Sequence, residues 1–171
     1  MDAERIYSAA CKLKKKYATA DPFELCECVG LNVRFADIGS LKGMYKYIKG
    51  NYFVLINDSL DARSKALVCC HELCHHLLHK DIAKNIGLYD TMLYDMDGRT
   101  ENEANMFAAE IMIEDSDITN YACEGRTAAD IASILGTDIN LVLIKAELMR
   151  KRGFDINCAL RAQSDFLAAN D

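Results

Sequence analysis

All four histidines of the chain fall within nine residues, as His71, His75, His76 and His79, and the first two frame a glutamate in His71-Glu72-Leu73-Cys74-His75. Residues four apart on a helix share a face and sit about 6 Å apart along its axis, so both imidazoles can reach one metal ion. The glutamate between them is placed to take a proton from a water activated by the metal rather than to bind the metal itself. His71 and His75 are therefore the candidate metal ligands, zinc the expected cofactor and Glu72 the candidate catalytic base. Helical phase agrees: Leu67, Cys70, His71, Cys74, His75 and Leu78 follow the i, i+3, i+4, i+7 spacing of a buried stripe. Imidazoles turned inward are costly without partners, and a metal ion satisfies them.

A catalytic zinc takes three protein ligands and keeps one position open. His79 lies about 12 Å along the axis from His71, too far for three histidines to meet on a straight helix. It is read, with His76, as a surface residue or one that stands behind the ligands. The third ligand is sought on a second helix at about 101–114, whose apolar stripe is Ala104, Phe107, Ala108, Ile111 and Met112. Glu101 and Asn105 lie along the edge of that stripe, while Glu103 and Glu110 are expected to face away. Thr100-Glu101-Asn102-Glu103 also fits a capping box that would occupy Glu103. Glu101 is accordingly the candidate third ligand, Glu103 its rival, and Asn105 a candidate to hydrogen-bond a ligand from behind. The chemistry is metal-assisted hydrolysis: Glu72 deprotonates the attacking water and returns the proton to the leaving amine. For a second oxyanion donor the segment between the helices offers only Tyr89 and Tyr94.

These residues need a scaffold. The chain has 171 residues, 51% hydrophobic, with one proline and no tryptophan, enough for a working core and without a linker-like stretch. Helical spacing predicts an amphipathic helix over residues 3–18, a short one from Asp21-Pro22 towards Gly30, and one capped by Ser59 or Asp61 that runs to Lys80 and carries the histidines. Between them, runs at 31–35, 43–48 and 52–57 alternate as strands, the last two joined by Lys49-Gly50-Asn51. The expected fold class is α+β, mostly helical, with a small antiparallel sheet packed on the histidine-bearing helix. Helical patterns at 127–135 and 139–152, each followed by glycine, add a helix-turn-helix-like unit. The expected division is a catalytic core over 1–114 and a C-terminal helical extension over 115–171, packed on the core.

The acidic start lacks the basic and apolar regions of a secretory signal, and no apolar run reaches the roughly 20 residues that span a bilayer. A cytoplasmic protein is expected, with its eight cysteines as thiols. Net charge of −6 weighs against a protein that coats nucleic acid. No pattern speaks to oligomeric state.

With His71-Glu72-Leu73-Cys74-His75-His76-Leu77-Leu78-His79 and Glu103-Ala104-Asn105-Met106-Phe107-Ala108 both in view, the chain resembles the ImmA/IrrE family of zinc metallopeptidases. The match runs through His71, Glu72, His75, Leu77, Leu78, Glu101, Ala104, Asn105, Phe107 and Ala108, and covers roughly residues 20–150. The resemblance implies a zincin-like fold and limited proteolysis of a helix-turn-helix transcriptional repressor, often one encoded nearby on a prophage or other mobile element. Cys74 departs from the family's usual glycine, and Ile113-Glu114 from its usual Met-Pro.

The competing function is a helix-turn-helix DNA-binding or regulatory protein with a structural or sensory metal site. Its recognition helix would read Ile139-Asn140-Leu141-Val142-Leu143-Ile144-Lys145, too apolar to read bases. Direct nucleic-acid binding is therefore not expected, and the endopeptidase reading leads.

Overall fold

The computed structural model describes residues 3–80 and 98–156 and divides the chain into two compact units, Met1–Met112 and Ile113–Asp171. Tyr89 and Tyr94, the candidate oxyanion donors, lie outside the described residues.

The first unit begins with α1 (Ala3–Tyr17), which buries Ile6, Ala10 and Leu13 and ends in Lys14, Lys15 and Lys16, where positive charge suits the helix dipole. Next comes α2 (Pro22–Cys28), started by Pro22 and by the Asp21 carboxylate, which accepts from the amides of Phe23 and Glu24. Three strands follow: β1 (Asn32–Ala36), β2 (Gly43–Ile48) and β3 (Asn51–Asn57).

The sheet is mixed rather than antiparallel, in the order β1-β3-β2. Lys49 and Gly50 both take positive φ (48° and 87°), the left-handed geometry of a tight hairpin, and pair β2 antiparallel with β3. That hairpin seats β3 beside β1, so β1 and β3 run parallel with Val33 opposite Val54. Hairpin signals in a sequence fix only the adjacent pair, and the insertion of the third strand between the first two escapes them.

Asn57, at the end of β3 and 5% exposed, ties this arrangement to the helix that follows. Its side-chain amide donates to the carbonyls of Gly39 (2.9 Å) and Leu41 (2.8 Å), and its oxygen accepts from the Ser59 amide (3.0 Å) and hydroxyl (2.8 Å). Ser59 is thus occupied with Asn57, and Asp61 is the N-cap of α3 (Ala62–Leu78), accepting from the amides of Arg63 and Ser64. Against α3 pack the sheet on one side and α4 (Gly98–Met112) on another. The last helix starts earlier than the capping-box reading places it, so Thr100 lies within the helix rather than at its cap. It also packs on α1 as well as on α3, and Lys14 Nζ donates to the Glu110 carbonyl at 3.1 Å. With two inward faces, α4 buries Glu103 and Glu110, both of which a single-stripe reading turns outward.

In the second unit, α5 (Asp115–Cys123), α6 (Ala128–Leu135) and α7 (Ile139–Lys151) enclose Ile118, Ile131, Val142, Leu148 and Met149. Thr127 and Asp130 form a capping box, Gly136 ends α6 at φ 59°, and Asp138 caps α7. The buried Lys145 ammonium lies 2.6 Å from the Asp115 carboxylate, and Arg152 Nη2 donates to the same carboxylate at 2.7 Å. No helix among the described residues is long and apolar enough to cross a membrane.

Replacing the buried Asn57 by alanine strips four part-buried hydrogen bonds to Gly39, Leu41 and Ser59. A loss of about 1–3 kcal/mol is expected in urea denaturation, and an unchanged midpoint would show that water substitutes for the amide.

Candidate metal centre

His71, His75 and His76 lie on the C-terminal half of α3, with His79 at its C-cap, and this half is largely buried: Cys69, Cys70, Glu72, Leu73, Cys74, His75 and His76 are all shielded from solvent. Each of its faces has its own partner. Val68, Glu72 and His76, four residues apart, meet β2, whereas His71, Cys74 and His75 meet α4.

On the α4 side the structure brings together the three expected ligands. Glu101, in the first turn of α4, sets Oε2 3.0 Å from His71 Nε2 and Oε1 3.4 Å from His75 Nε2. One donor atom from each residue lies within 4.8 Å of the others. A tetrahedral ion with ligands at about 2.0–2.1 Å separates its ligand atoms by about 3.3 Å, so the spacing fits such an ion. Glu101 Oε1 is moreover a buried oxygen without a hydrogen-bond partner among the described residues, an acceptor that a cation would satisfy.

Electrostatics treats the three expected ligands unequally. Burial, reinforced by neighbouring His71, pushes the His75 pKa down to about 3, which keeps its imidazole neutral and its lone pair available. At His71 burial also disfavours the cation, but the Glu101 and Glu72 carboxylates outweigh it and the pKa is raised. The hydrogen bond from His71 in turn lowers the pKa of Glu101, which is held as a carboxylate. Behind His71, Asn105 Oδ1 stands 3.1 Å from Nδ1, the position from which an amide oxygen accepts the Nδ1 proton and leaves Nε2 free to coordinate.

The residues read as surface or as standing behind the ligands complete the surroundings. His79 is buried, not on the surface, and its Nδ1 is 3.0 Å from His75 Nδ1, while its Nε2 is 2.9 Å from Glu103 Oε2. Arg99 Nε donates to the other Glu103 oxygen at 3.2 Å. The available signal was the second four-residue step from His75 to His79. His76 is likewise buried and shares a 3.0 Å hydrogen bond with the Tyr45 hydroxyl, its ring edge-on to Tyr52.

Among the described residues, Cys74 is not part of the cluster. Its thiol faces the Glu103 carbonyl at 3.8 Å, and burial pushes its pKa up. It is a core residue rather than a reactive thiol.

Glu72 is 4% exposed and lies against Gly43, the first residue of β2. A Cβ at position 43 would stand 2.2 Å from Val68 Cγ1 and 3.3 Å from Glu72 Oε1, so only glycine lets β2 approach this closely. Gly43→Ala is expected to cost about 1–3 kcal/mol as overpacking, with Val68→Ala on that background restoring part of the loss. Equal urea midpoints for Gly43→Ala and the unaltered protein would contradict the close approach.

Comparison with known proteins matches this geometry to a family. Residues 26–153 match the model of the IrrE N-terminal-like domain, a peptidase family. Immunity region protein 2 of Bacillus phage phi105 is 34% identical over 141 residues, 82% of this chain and 88% of that protein. Metallopeptidase ImmA of Bacillus subtilis (strain 168) is 27% identical over 104 residues, 59% of each chain. The matched family model takes in α3, α4 and every residue of the cluster, and the chain belongs to the ImmA/IrrE family of metallopeptidases.

Proposed function

We propose that the chain is a zinc-dependent endopeptidase in which His71, His75 and Glu101 hold the metal and Glu72 is the catalytic base. The observation that carries this reading is the convergence of a carboxylate from α4 on two imidazoles of α3, with Glu72 between them in the chain. A zinc ion held there supplies Lewis acidity, bringing the pKa of a water to about 7 and polarising the scissile carbonyl. Glu72 accepts the proton of the attacking water and hands it to the leaving amine. Its carboxylate is close enough to raise the pKa of His71, and the Gly43 contact confines it. Asn105 holds His71 in the tautomer that presents Nε2.

For the substrate we propose a helix-turn-helix transcriptional repressor, cut once or a few times in the cytoplasm. The family resemblance supplies this class, and the relative from a phage immunity region supports a setting on a mobile element. In the second unit, α7 buries Leu141, Val142 and Lys145, and the Lys145 ammonium is spent on Asp115 rather than offered to phosphate. That weighs against the DNA-binding alternative.

The test mixes zinc-loaded protein with the repressor encoded beside its gene and follows fragments by mass spectrometry. Glu72→Gln should retain zinc and lose about 10²–10⁴-fold in cleavage rate, whereas Glu101→Ala should lose the metal. Equal cleavage by Glu72→Gln and the unaltered protein would remove the assigned base. Failure of the loaded protein to cut any repressor or unfolded protein would sink the peptidase reading, and tight sequence-specific gel shifts would favour DNA binding.

A further inference from the structure

We propose that His79 and Glu103 act as a positioning relay for His75, fixing the tautomer in which its Nε2 lone pair faces the metal. This rests on the metal centre proposed above and assigns work to two residues outside it. His75 Nδ1, His79 Nδ1, His79 Nε2 and Glu103 Oε2 form one chain of short contacts, 3.0 Å and 2.9 Å, entirely among buried side chains.

The direction of the hydrogen bonds follows from the two ends. Glu103 receives the Arg99 guanidinium on its other oxygen at 3.2 Å, so its carboxylate is the acceptor end of the chain. His79 Nε2 must therefore carry a proton, because a lone pair there would oppose the carboxylate at 2.9 Å. With that one proton on the ring, His79 Nδ1 is an acceptor, and the proton shared with His75 belongs to His75 Nδ1. A neutral His75 protonated at Nδ1 has its lone pair on Nε2, the atom that faces Glu101 Oε1 at 3.4 Å. Reversal anywhere along the chain would put a proton on Nε2, where the metal binds. The Arg99 guanidinium on the second Glu103 oxygen helps to hold the carboxylate in place. Two ligands are thus oriented from behind by different groups: His71 by a neutral amide, His75 by an imidazole backed by a carboxylate.

The proposal has two independent readouts, neither of them cleavage. Imidazole nitrogen NMR of the metal-free full-length protein at pH 8, where free imidazole is neutral, should find His75 as the Nδ1–H tautomer. Competition for Zn²⁺ against a chelator should then show His79→Leu and Glu103→Leu binding about 10–100-fold more weakly, and Glu103→Gln, which keeps an acceptor for His79, less affected than Glu103→Leu. Zinc affinities of His79→Leu and Glu103→Leu equal to the unaltered protein's would overturn the relay and leave the metal centre standing. Lack of zinc binding by the unaltered protein would overturn the metal centre itself. Should the leucine variants fail to fold, the NMR spectrum of the unaltered protein still decides: an Nε2–H tautomer at His75 refutes the relay.

Discussion

Burying ionisable groups at the centre of a small domain costs several kcal/mol apiece unless each is paired, and α3 carries Glu72, His75 and His76 inside, with His79 just beyond its end. The fold is organised around meeting that cost. Carboxylates and amide of α4 come to His71, His75 and His79; Tyr45 of β2 comes to His76; and Gly43 gives up a side chain so that Glu72 can sit under the strand. Apolar packing alone would accept many relative placements of these elements. Hydrogen bonds of about 3 Å to named atoms accept very few, which is how polar burial yields the fixed geometry that chemistry at a metal requires.

The same pairing explains which parts of the site could be read from the sequence. His71, His75, Glu101 and Asn105 obey helical periodicity relative to one apolar stripe, and periodicity places them correctly towards each other. The burial of Glu103 was missed, and His79 was left undecided between the surface and a place behind the ligands, for a shared reason. A single-stripe reading assumes that a helix has one buried face, whereas α3 and α4 are each packed on more than one side. Gly43 and Tyr45 are harder still, since their roles depend on a strand crossing α3, and no local pattern reports which strand does so. The sheet illustrates the point: the Lys49-Gly50 turn announces the β2–β3 pair, but nothing local announces that β1 lies parallel on the far side of β3. Caps were unevenly legible: Asp21 caps α2 as read and Asp61 caps α3 as one of two candidates, because each acts on amides two or three residues away, whereas Thr100 lies within α4 rather than at its cap.

Whether such a cluster suits catalysis or only structure turns on its fourth position. Structural zinc sites close the tetrahedron with protein ligands, commonly thiolates, whereas catalytic sites stop at three and stay open to water. Cys74, one residue before His75 in the chain, carries a thiol that is not part of the cluster. It is instead engaged with the Glu103 carbonyl and kept protonated by burial, and among the described residues the cluster stops at His71, His75 and Glu101. Exposure is lopsided as well: His75 is 1% exposed, but His71 and Glu101 retain 20% and 34%. On the proposed reading the ion would be anchored at its buried side by the ligand with the most elaborate support. The solvent side would be left for water and a peptide carbonyl, which is the asymmetry a hydrolase needs and a structural site avoids.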